Sequence, residues 1–319
     1  MAGFIKLTKE SKQFADSLPK FDISSINIET LRSKPDNEVP LAISRPDVDL
    51  EDMTVISSSG LVKIRVYRPS GSHDKILPAI IYMHGGGWCV DQKASYAYIC
   101  SKLAGEANCA VIFVHYSLSP EARFPTAVEE CYAVLAWATN PANVNFLKID
   151  PTSVSVGGDS SGANLAIAIT LLAKQRQLEN KIKHQLLFYP VTNTEFNTSS
   201  YYEFSNDYAL TRDLMKFFWD QYVPEKSDRE NIIACPGKAT VEDLKDLPPA
   251  LIIIAEADVV RDEGEDYGRK LLAAGVPATT TRVVGVLHGF VSKPNLFSQE
   301  TLFALDMAAA ALRRAFYNK

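Results

Sequence analysis

The amino-acid sequence predicts an α/β protein whose mostly parallel sheet is covered by helices on both faces. Continuous apolar runs of the length of buried strands recur along the chain, and segments of helical length separate them. Glycine-rich turns follow two of these runs. Because ligands bind outside the carboxyl ends of the strands in such sheets, we expect the chemistry to lie in the residues that follow each strand.

The elements can be predicted in chain order. Residues 1–50 are polar and rich in proline, so we expect one or two short helices and an irregular connection there. After Leu61, the apolar residues Val62, Ile64 and Val66 alternate with other residues, which is typical of a half-exposed antiparallel strand.

Continuous apolar runs predict the buried strands, and the segments between or after them predict helices. The runs are Ala79–Met83, Ala110–Val114, Val154–Val156, Gln185–Tyr189 and Ala250–Ile254, and a strand-like segment follows at Thr279–Val284. The helical segments lie at residues 95–107, 125–139, 161–177, 262–274 and 299–317.

The composition fits a folded globular protein and narrows its partners. The chain has 319 residues, of which 46% are hydrophobic and 22% are charged, and its net charge is -5. Nucleic acids and anionic membranes bind basic surfaces, so neither is an expected partner. No stretch has the roughly 18 apolar residues of a membrane span, and the first residues lack the apolar core of a signal peptide. We therefore expect a cytoplasmic protein.

The cysteines predict neither a disulfide framework nor a metal site. There are five, an odd number, and none forms a C-x-x-C pair. We expect no metal ion and no organic cofactor.

A candidate nucleophile follows the run that ends at Val156. Gly158, Ser160 and Gly162 form a G-x-S-x-G pattern, and an alanine-rich helical segment comes next. A tight turn between a strand and a helix holds the serine in strained backbone geometry, and glycines two residues away remove side chains that would collide. Ser160 is therefore the predicted nucleophile.

A run of three glycines follows the strand that ends at Met83. Gly85, Gly86 and Gly87 can turn their N–H groups inward because they have no Cβ atoms, and such donors can stabilise an oxygen that gains negative charge. With the N–H of Ser161 at the start of its helix, Gly86 and Gly87, and in addition Gly85, are predicted to form an oxyanion hole. His84 is interpreted as a structural residue of this loop.

The serine needs a base, and elimination among the five histidines favours His288. When the nucleophile lies in a G-x-S-x-G turn between a strand and a helix, the base follows it in the chain, which leaves His184 and His288. His184 opens a strand and so lies at the wrong end of it, whereas His288 follows a strand in a glycine-containing loop.

The orienting carboxylate should follow the strand that ends at Ile254. Glu256 and Asp258 both satisfy this condition, and position favours Asp258 only slightly.

With these residues in place, the chain from residue 60 onwards resembles the hormone-sensitive-lipase-like esterases, a branch of the α/β-hydrolase fold. The motifs that carry the resemblance are His84-Gly85-Gly86-Gly87, Tyr116-Ser117-Leu118-Ser119-Pro120-Glu121, Gly158-Asp159-Ser160-Ser161-Gly162, Asp258 with Arg261-Asp262-Glu263-Gly264, and His288-Gly289-Phe290. The resemblance implies an eight-stranded sheet with a helical cap, and it implies that Asp258 is the triad acid. Ser117 departs from the pattern, since arginine is frequent at that position.

The resemblance also implies the domain organisation. Residues 1–50 would form the N-terminal part of the cap and residues 191–235 a cap insertion, while residues 51–190 and 236–319 would form the catalytic domain. The insertion is rich in aromatic residues, about half of which we expect to hold the cap to the body. The others would line a substrate pocket, for which the predicted residues are Trp88, Tyr208, Phe217, Val260 and Phe290.

The resemblance therefore predicts a serine carboxylesterase that hydrolyses short- to medium-chain uncharged esters through an acyl-enzyme. The alternatives are a non-catalytic small-molecule receptor on the same fold, which His288 argues against, and a serine peptidase or amidase. The resemblance further implies that two copies can pair through the edge of the sheet.

Overall fold

The protein has an eight-stranded sheet with helices on both faces. The computed structural model describes residues 5–18, 26–33, 45–91, 93–180 and 182–317. The strands are β1 (Val48–Ser57), β2 (Gly60–Pro69), β3 (Leu77–Met83), β4 (Ala110–His115), β5 (Ile149–Asp159), β6 (Gln185–Phe188), β7 (Ala250–Ala257) and β8 (Ala278–Leu287).

The strand order across the sheet is β1-β2-β4-β3-β5-β6-β7-β8. β2 pairs antiparallel with both β1 and β4, and every pair from β4 to β8 is parallel. The carboxyl ends of β3, β5, β7 and β8 therefore meet at one edge of the sheet. The predicted fold class is confirmed.

The helices that the structure describes lie between and around the strands. They are α1 (Lys9–Ser17), α2 (Ile28–Arg32), α3 (Lys93–Ala107), α4 (Thr126–Ala138), α5 (Val144–Leu147), α6 (Ser161–Gln175), α7 (Ser199–Glu203), α8 (Arg212–Tyr222), α9 (Val241–Leu244), α10 (Arg261–Ala273) and α11 (Gln299–Tyr317). Within the described ranges, no helix combines the length and the apolar character that crossing a membrane requires.

The apolar runs form strands because both of their faces are covered. Every residue of β3 is buried, and α6 is buried along nearly its whole length where it packs on β5. The sequence does not predict β1, because only Val55 among its ten residues is buried and its acidic residues interrupt the alternation of apolar and polar residues. This strand begins at Val48, ahead of the boundary at residue 51 that we expected for the catalytic domain.

Four helices, α1, α2, α7 and α8, are here called the cap helices. α1 and α2 belong to the part of residues 1–50 that the structure describes, and α7 and α8 belong to the segment between β6 and β7. The other residues of the predicted N-terminal cap segment, 1–4, 19–25 and 34–44, lie outside the described ranges.

Candidate active site

Ser160 lies at the sharp turn between β5 and α6. β5 ends at Asp159 and α6 begins at Ser161, so the turn has a single residue, whose φ is 54° and ψ is -121°. A positive φ is strained for a residue with a Cβ atom, and such a turn raises the hydroxyl above the sheet edge. The Ser160 N–H donates to the Phe188 carbonyl at 2.9 Å, which ties the turn to β6.

The glycines on either side of Ser160 are required by close backbone approach. A Cβ atom on Gly158 would lie 2.4 Å from the Met83 carbonyl oxygen, and one on Gly162 would lie 2.1 Å from the same oxygen. The start of α6 is thus pressed against the end of β3, which brings Ser160 beside the glycine run that follows Met83.

Ser160, His288 and Asp258 form a continuous hydrogen-bonded chain. His288 Nε2 lies 2.9 Å from Ser160 Oγ, and His288 Nδ1 lies 2.7 Å from Asp258 Oδ2. All three side chains are buried, with exposed fractions of 6% for Ser160 and His288 and 1% for Asp258. β7 and β8 end directly before Asp258 and His288, so the parallel sheet delivers both to the turn that carries Ser160.

Asp258 and Glu256, the two candidate carboxylates, have different hydrogen-bond partners in the structure. Glu256 Oε2 accepts the N–H of Gly285 at 2.7 Å, so this carboxylate ties the end of β7 to β8. Asp258 Oδ1 accepts the N–H of Val260 at 3.1 Å, which orients the carboxylate whose other oxygen faces His288.

His84 and His184 lie away from this chain. His84 is fully buried, its Nδ1 lies 2.7 Å from the Gly85 carbonyl, and its ring stacks on Tyr116 at 4.2 Å between centroids. Burial lowers the pKa of His84, which suits a neutral structural imidazole. His184 precedes β6, at the opposite end of the sheet from Ser160.

The N–H groups of Gly86, Gly87 and Ser161 are the candidate oxyanion donors. Gly86 has a φ of 111° and Gly87 a φ of 61°, a left-handed conformation that favours glycine. Ser161 is the first residue of α6, so its N–H has no intrahelical acceptor and lies at the positive end of the helix dipole. All three glycines of the run, Gly85, Gly86 and Gly87, line the cavity that contains Ser160.

Gly85 differs from the prediction, because its N–H is already used. It donates to Tyr96 Oη at 2.8 Å and to Asp159 Oδ1 at 3.0 Å. This N–H therefore points into a buried cluster and not toward a substrate oxygen.

That buried cluster is centred on Asp159, which sequence reasoning did not single out. The Tyr96 hydroxyl donates to Asp159 Oδ2 at 3.0 Å, and those of Tyr82 and Tyr189 lie at 3.3 and 3.4 Å from the carboxylate. Burial raises the pKa of Asp159 above its ordinary value. The cluster anchors the first glycine of the run to the residue before Ser160.

A cavity of about 420 Å³ opens onto Ser160 and His288. The part of its lining that comes from α1, α2, α8 and the connection before α8 is apolar. Its residues there are Phe14, Leu31, Ala209, Leu210, Leu214, Met215 and Phe218. The rest of the lining includes polar residues, among them Ser95, Tyr96, Ser292, Lys293 and Asn295.

The described structure does not place any of the five predicted pocket residues along this cavity. Trp88, Val260 and Phe290 are fully buried, and Tyr208 and Phe217 are half-buried outside its walls. Trp88 stacks on Tyr222 at 4.3 Å between ring centroids, so it anchors α8 to the glycine run. Aromatic enrichment signalled the junction between cap and body, whereas the apolar residues along the cavity are mostly aliphatic.

Comparison with known proteins also indicates an esterase with the alpha/beta hydrolase fold. The sequence profile of a family with the alpha/beta hydrolase fold matches residues 80–292. Among curated proteins, a carboxylesterase of Mycobacterium tuberculosis is 33% identical over 278 residues, which are 85% of this chain and 84% of the relative.

Solved structures of esterases superimpose closely on the chain. One of two fungal esterases from Rhizomucor miehei has a TM-score of 0.91 at 41% identity, covering 98% of this chain and 97% of its own. A thermostable esterase from Pseudomonas putida has a TM-score of 0.92 at 30% identity, and all of both chains is covered.

Proposed function

Since the chain belongs to the hormone-sensitive-lipase-like esterases of the α/β-hydrolase fold and is a serine carboxylesterase, we propose that Ser160 is its nucleophile, with His288 as base and Asp258 as orienting acid. The observation that carries the proposal is the hydrogen-bonded chain from Ser160 Oγ through His288 to Asp258.

The geometry supports general-base activation of the serine. His288 Nε2 accepts the hydroxyl proton of Ser160 while Oγ attacks the ester carbonyl carbon. Asp258 holds the tautomer in which Nδ1 carries a proton, and it stabilises the imidazolium that forms. The alcohol then leaves with the proton from His288, and water hydrolyses the acyl-enzyme by the reverse sequence.

The tetrahedral intermediate carries a negative oxygen, for which we assign the N–H groups of Gly86, Gly87 and Ser161 as donors. They are backbone groups held in a turn and at a helix start, so they need no reorganisation as the charge develops. Loss of one such donor typically costs a factor on the order of 10²–10³ in turnover.

The cavity favours an uncharged ester with a short to medium acyl chain. Its volume of about 420 Å³ is near the lower end of the usual range for ligand pockets, and the cap helices close its apolar side. We expect activity on p-nitrophenyl esters to peak at short or medium chains and to fall toward laurate. Rising activity up to laurate would refute this substrate class.

The assignment of the triad is tested with p-nitrophenyl butyrate. We expect Ser160→Ala to lower turnover by at least about 10⁴-fold and Asp258→Asn by on the order of 10⁴-fold. Glu256→Gln is the matched control, because Glu256 lies two residues away but binds the Gly285 N–H. Retained turnover in the serine variant, or a larger loss in Glu256→Gln than in Asp258→Asn, would contradict the assignment.

We also propose a cytoplasmic location and a homodimer. All five cysteines are buried free thiols, as expected in a reducing compartment. β8 is the last strand of the sheet and exposes Val284, which would suit pairing with a second copy. Cell fractionation tests the location, and secretion of the protein would exclude it. Light scattering coupled to gel filtration tests the homodimer, and a monomer at micromolar concentration would exclude it.

A further inference from the structure

The turn that carries the proposed oxyanion donors is closed by its own hydrogen bonds and is also held by neighbouring segments. The Gly86 carbonyl accepts the N–H groups of Cys89 and Val90, both at 3.1 Å, which closes the turn. The carbonyls of Trp88 and Cys89 point outward and are held by other segments. The Trp88 carbonyl accepts the Ser119 N–H at 2.8 Å. The position of Gly86 and Gly87 therefore depends on what surrounds the turn.

One of these supports is Arg32, the last residue of cap helix α2. Its Nε donates to the Cys89 carbonyl at 2.8 Å, and Nη2 donates to the Ser119 carbonyl at 3.0 Å. The same guanidinium binds Glu121 through two parallel hydrogen bonds of 2.8 Å. A planar guanidinium suits this combination, since its donors form a rigid fork. Arg32 thus joins α2 to the turn and to the segment 119–121.

The other side of the turn is covered by the second part of the cap. A Cβ atom on Gly87 would lie 2.3 Å from Cγ of Phe218, so the ring of this α8 residue rests on the Gly87 backbone. Leu31, next to Arg32, and Phe218 both line the cavity. The turn is therefore held between two cap helices that also contact the substrate space.

We propose that Arg32 is a positioning residue that couples cap helix α2 to the oxyanion turn, so that docking of α2 sets the N–H groups of Gly86 and Gly87 in their catalytic orientation. This inference rests on the proposed function of those donors. Arg32 itself does not line the cavity; it acts through the Cys89 peptide. Small displacements matter because catalytic donors misplaced by about 1 Å can cost a factor of about 10².

The test compares Arg32→Ala, Arg32→Lys and Glu121→Gln with the wild type. Arg65→Ala is the matched control, because Arg65 makes the same kind of bidentate pair with Asp52, at 2.7 and 2.8 Å, on the β1–β2 hairpin. The measurements are kcat and KM for p-nitrophenyl butyrate, the inhibition constant of an alkyl trifluoromethyl ketone, and the melting temperature. The ketone forms an oxyanion on attack by serine and so reports the oxyanion donors directly.

We expect Arg32→Ala to lower kcat by about 10- to 100-fold with a change in KM of less than about threefold, and to weaken the ketone by a similar factor to kcat. Arg32→Lys should lie between Arg32→Ala and the wild type because it loses the fork. Glu121→Gln should lower kcat by less than about fivefold, since the bonds to the carbonyls remain. Arg65→Ala should match the wild type.

Two results would overturn the inference. One is a kcat for Arg32→Ala no lower than that of Arg65→Ala. The other is a raised KM with unchanged kcat and unchanged ketone inhibition, which would make Arg32 a support of the cavity wall only. If Arg32→Ala does not fold, the ketone constant of Arg32→Lys decides: inhibition weaker than that of Glu121→Gln supports the inference, and inhibition equal to that of the wild type overturns it. Absence of ester hydrolysis by the wild type would instead contradict the proposed function.

Discussion

Replacing Glu263 with glutamine should change how the stability of the protein depends on pH. Glu263 is a buried residue of the first turn of α10, and its Oε1 accepts the N–H groups of Thr192 and Asn193 at 2.7 and 3.3 Å. Burial is the main cause that raises the pKa of this carboxyl to about 8, from an ordinary value of 4.5. The neutral glutamine can keep the acceptor oxygen and has no charge to bury.

The sign follows from proton binding. The unfolded chain loses the Glu263 proton near pH 4.5 and the folded chain near pH 8, so between these values the folded state holds the extra proton. Stability therefore falls as pH rises through this window and levels off above it. At about 1.4 kcal/mol per pH unit, the group costs about 3 kcal/mol between pH 5.5 and 8.5.

The measurement is urea unfolding followed by tryptophan fluorescence at pH 5.5, 7 and 8.5. We expect the free energy of unfolding of Glu263→Gln to rise by about 3 kcal/mol relative to the wild type between the lowest and the highest pH. Glu225→Gln, at an exposed position, is the control for the loss of one glutamate carboxylate. If the difference in unfolding free energy between Glu263→Gln and the wild type is the same at all three pH values, the buried carboxyl does not titrate in this window.

Two further predictions concern glycines near the site. Gly87→Ala should lower kcat for p-nitrophenyl butyrate by at least about tenfold, because the new Cβ would collide with the ring of Phe218. Adding Phe218→Ala should recover part of the loss, and a double variant no more active than Gly87→Ala would contradict this explanation. Gly162→Ala should lower the free energy of unfolding in urea by about 3 kcal/mol, because its Cβ would collide with the backbone of β3. Gly275→Ala, with a φ of 78° and open space around it, should lower it by about 1–2 kcal/mol. Equal losses would show that the close approach at Gly162 is not the cause.

The alternation of strands and helices was predictable because the parallel strands are buried on both faces. Continuous apolar runs such as Ala79–Met83 are typical of strands buried on both faces, and they are short for a helix. The same logic placed Ser160 and His288 at the ends of strands, and the direction of β6 excluded His184. The β1 strand escaped prediction because it pairs with a single neighbour at the edge of the sheet and buries only Val55.

The residues that line the cavity could not be predicted from the sequence. How the cap helices pack on the body decides which of their apolar residues contact the body and which line the cavity. Trp219 and Tyr222 of α8 pack against Trp88 of the body, whereas Leu214 and Phe218 of the same helix border the cavity. All four are apolar or aromatic, so helical periodicity alone assigns them to one buried face. Only the position of the helix over the sheet decides which of them meet a substrate.

A similar limit applies to the glycine run, and it shows what the sequence pattern leaves out. Three consecutive glycines permit three inward N–H groups, but Asp159 and Tyr96 take the first of them. A buried carboxylate needs donors, and the Gly85 N–H lies within reach because Gly158 and Gly162 let β3 and α6 approach closely. Asp159 thereby engages the Gly85 N–H, and Gly86 and Gly87 remain as the proposed oxyanion donors of this run. The H-G-G-G and G-D-S motifs are thus two parts of one hydrogen-bonded unit, in which Asp159 fixes the start of the glycine run beside Ser160.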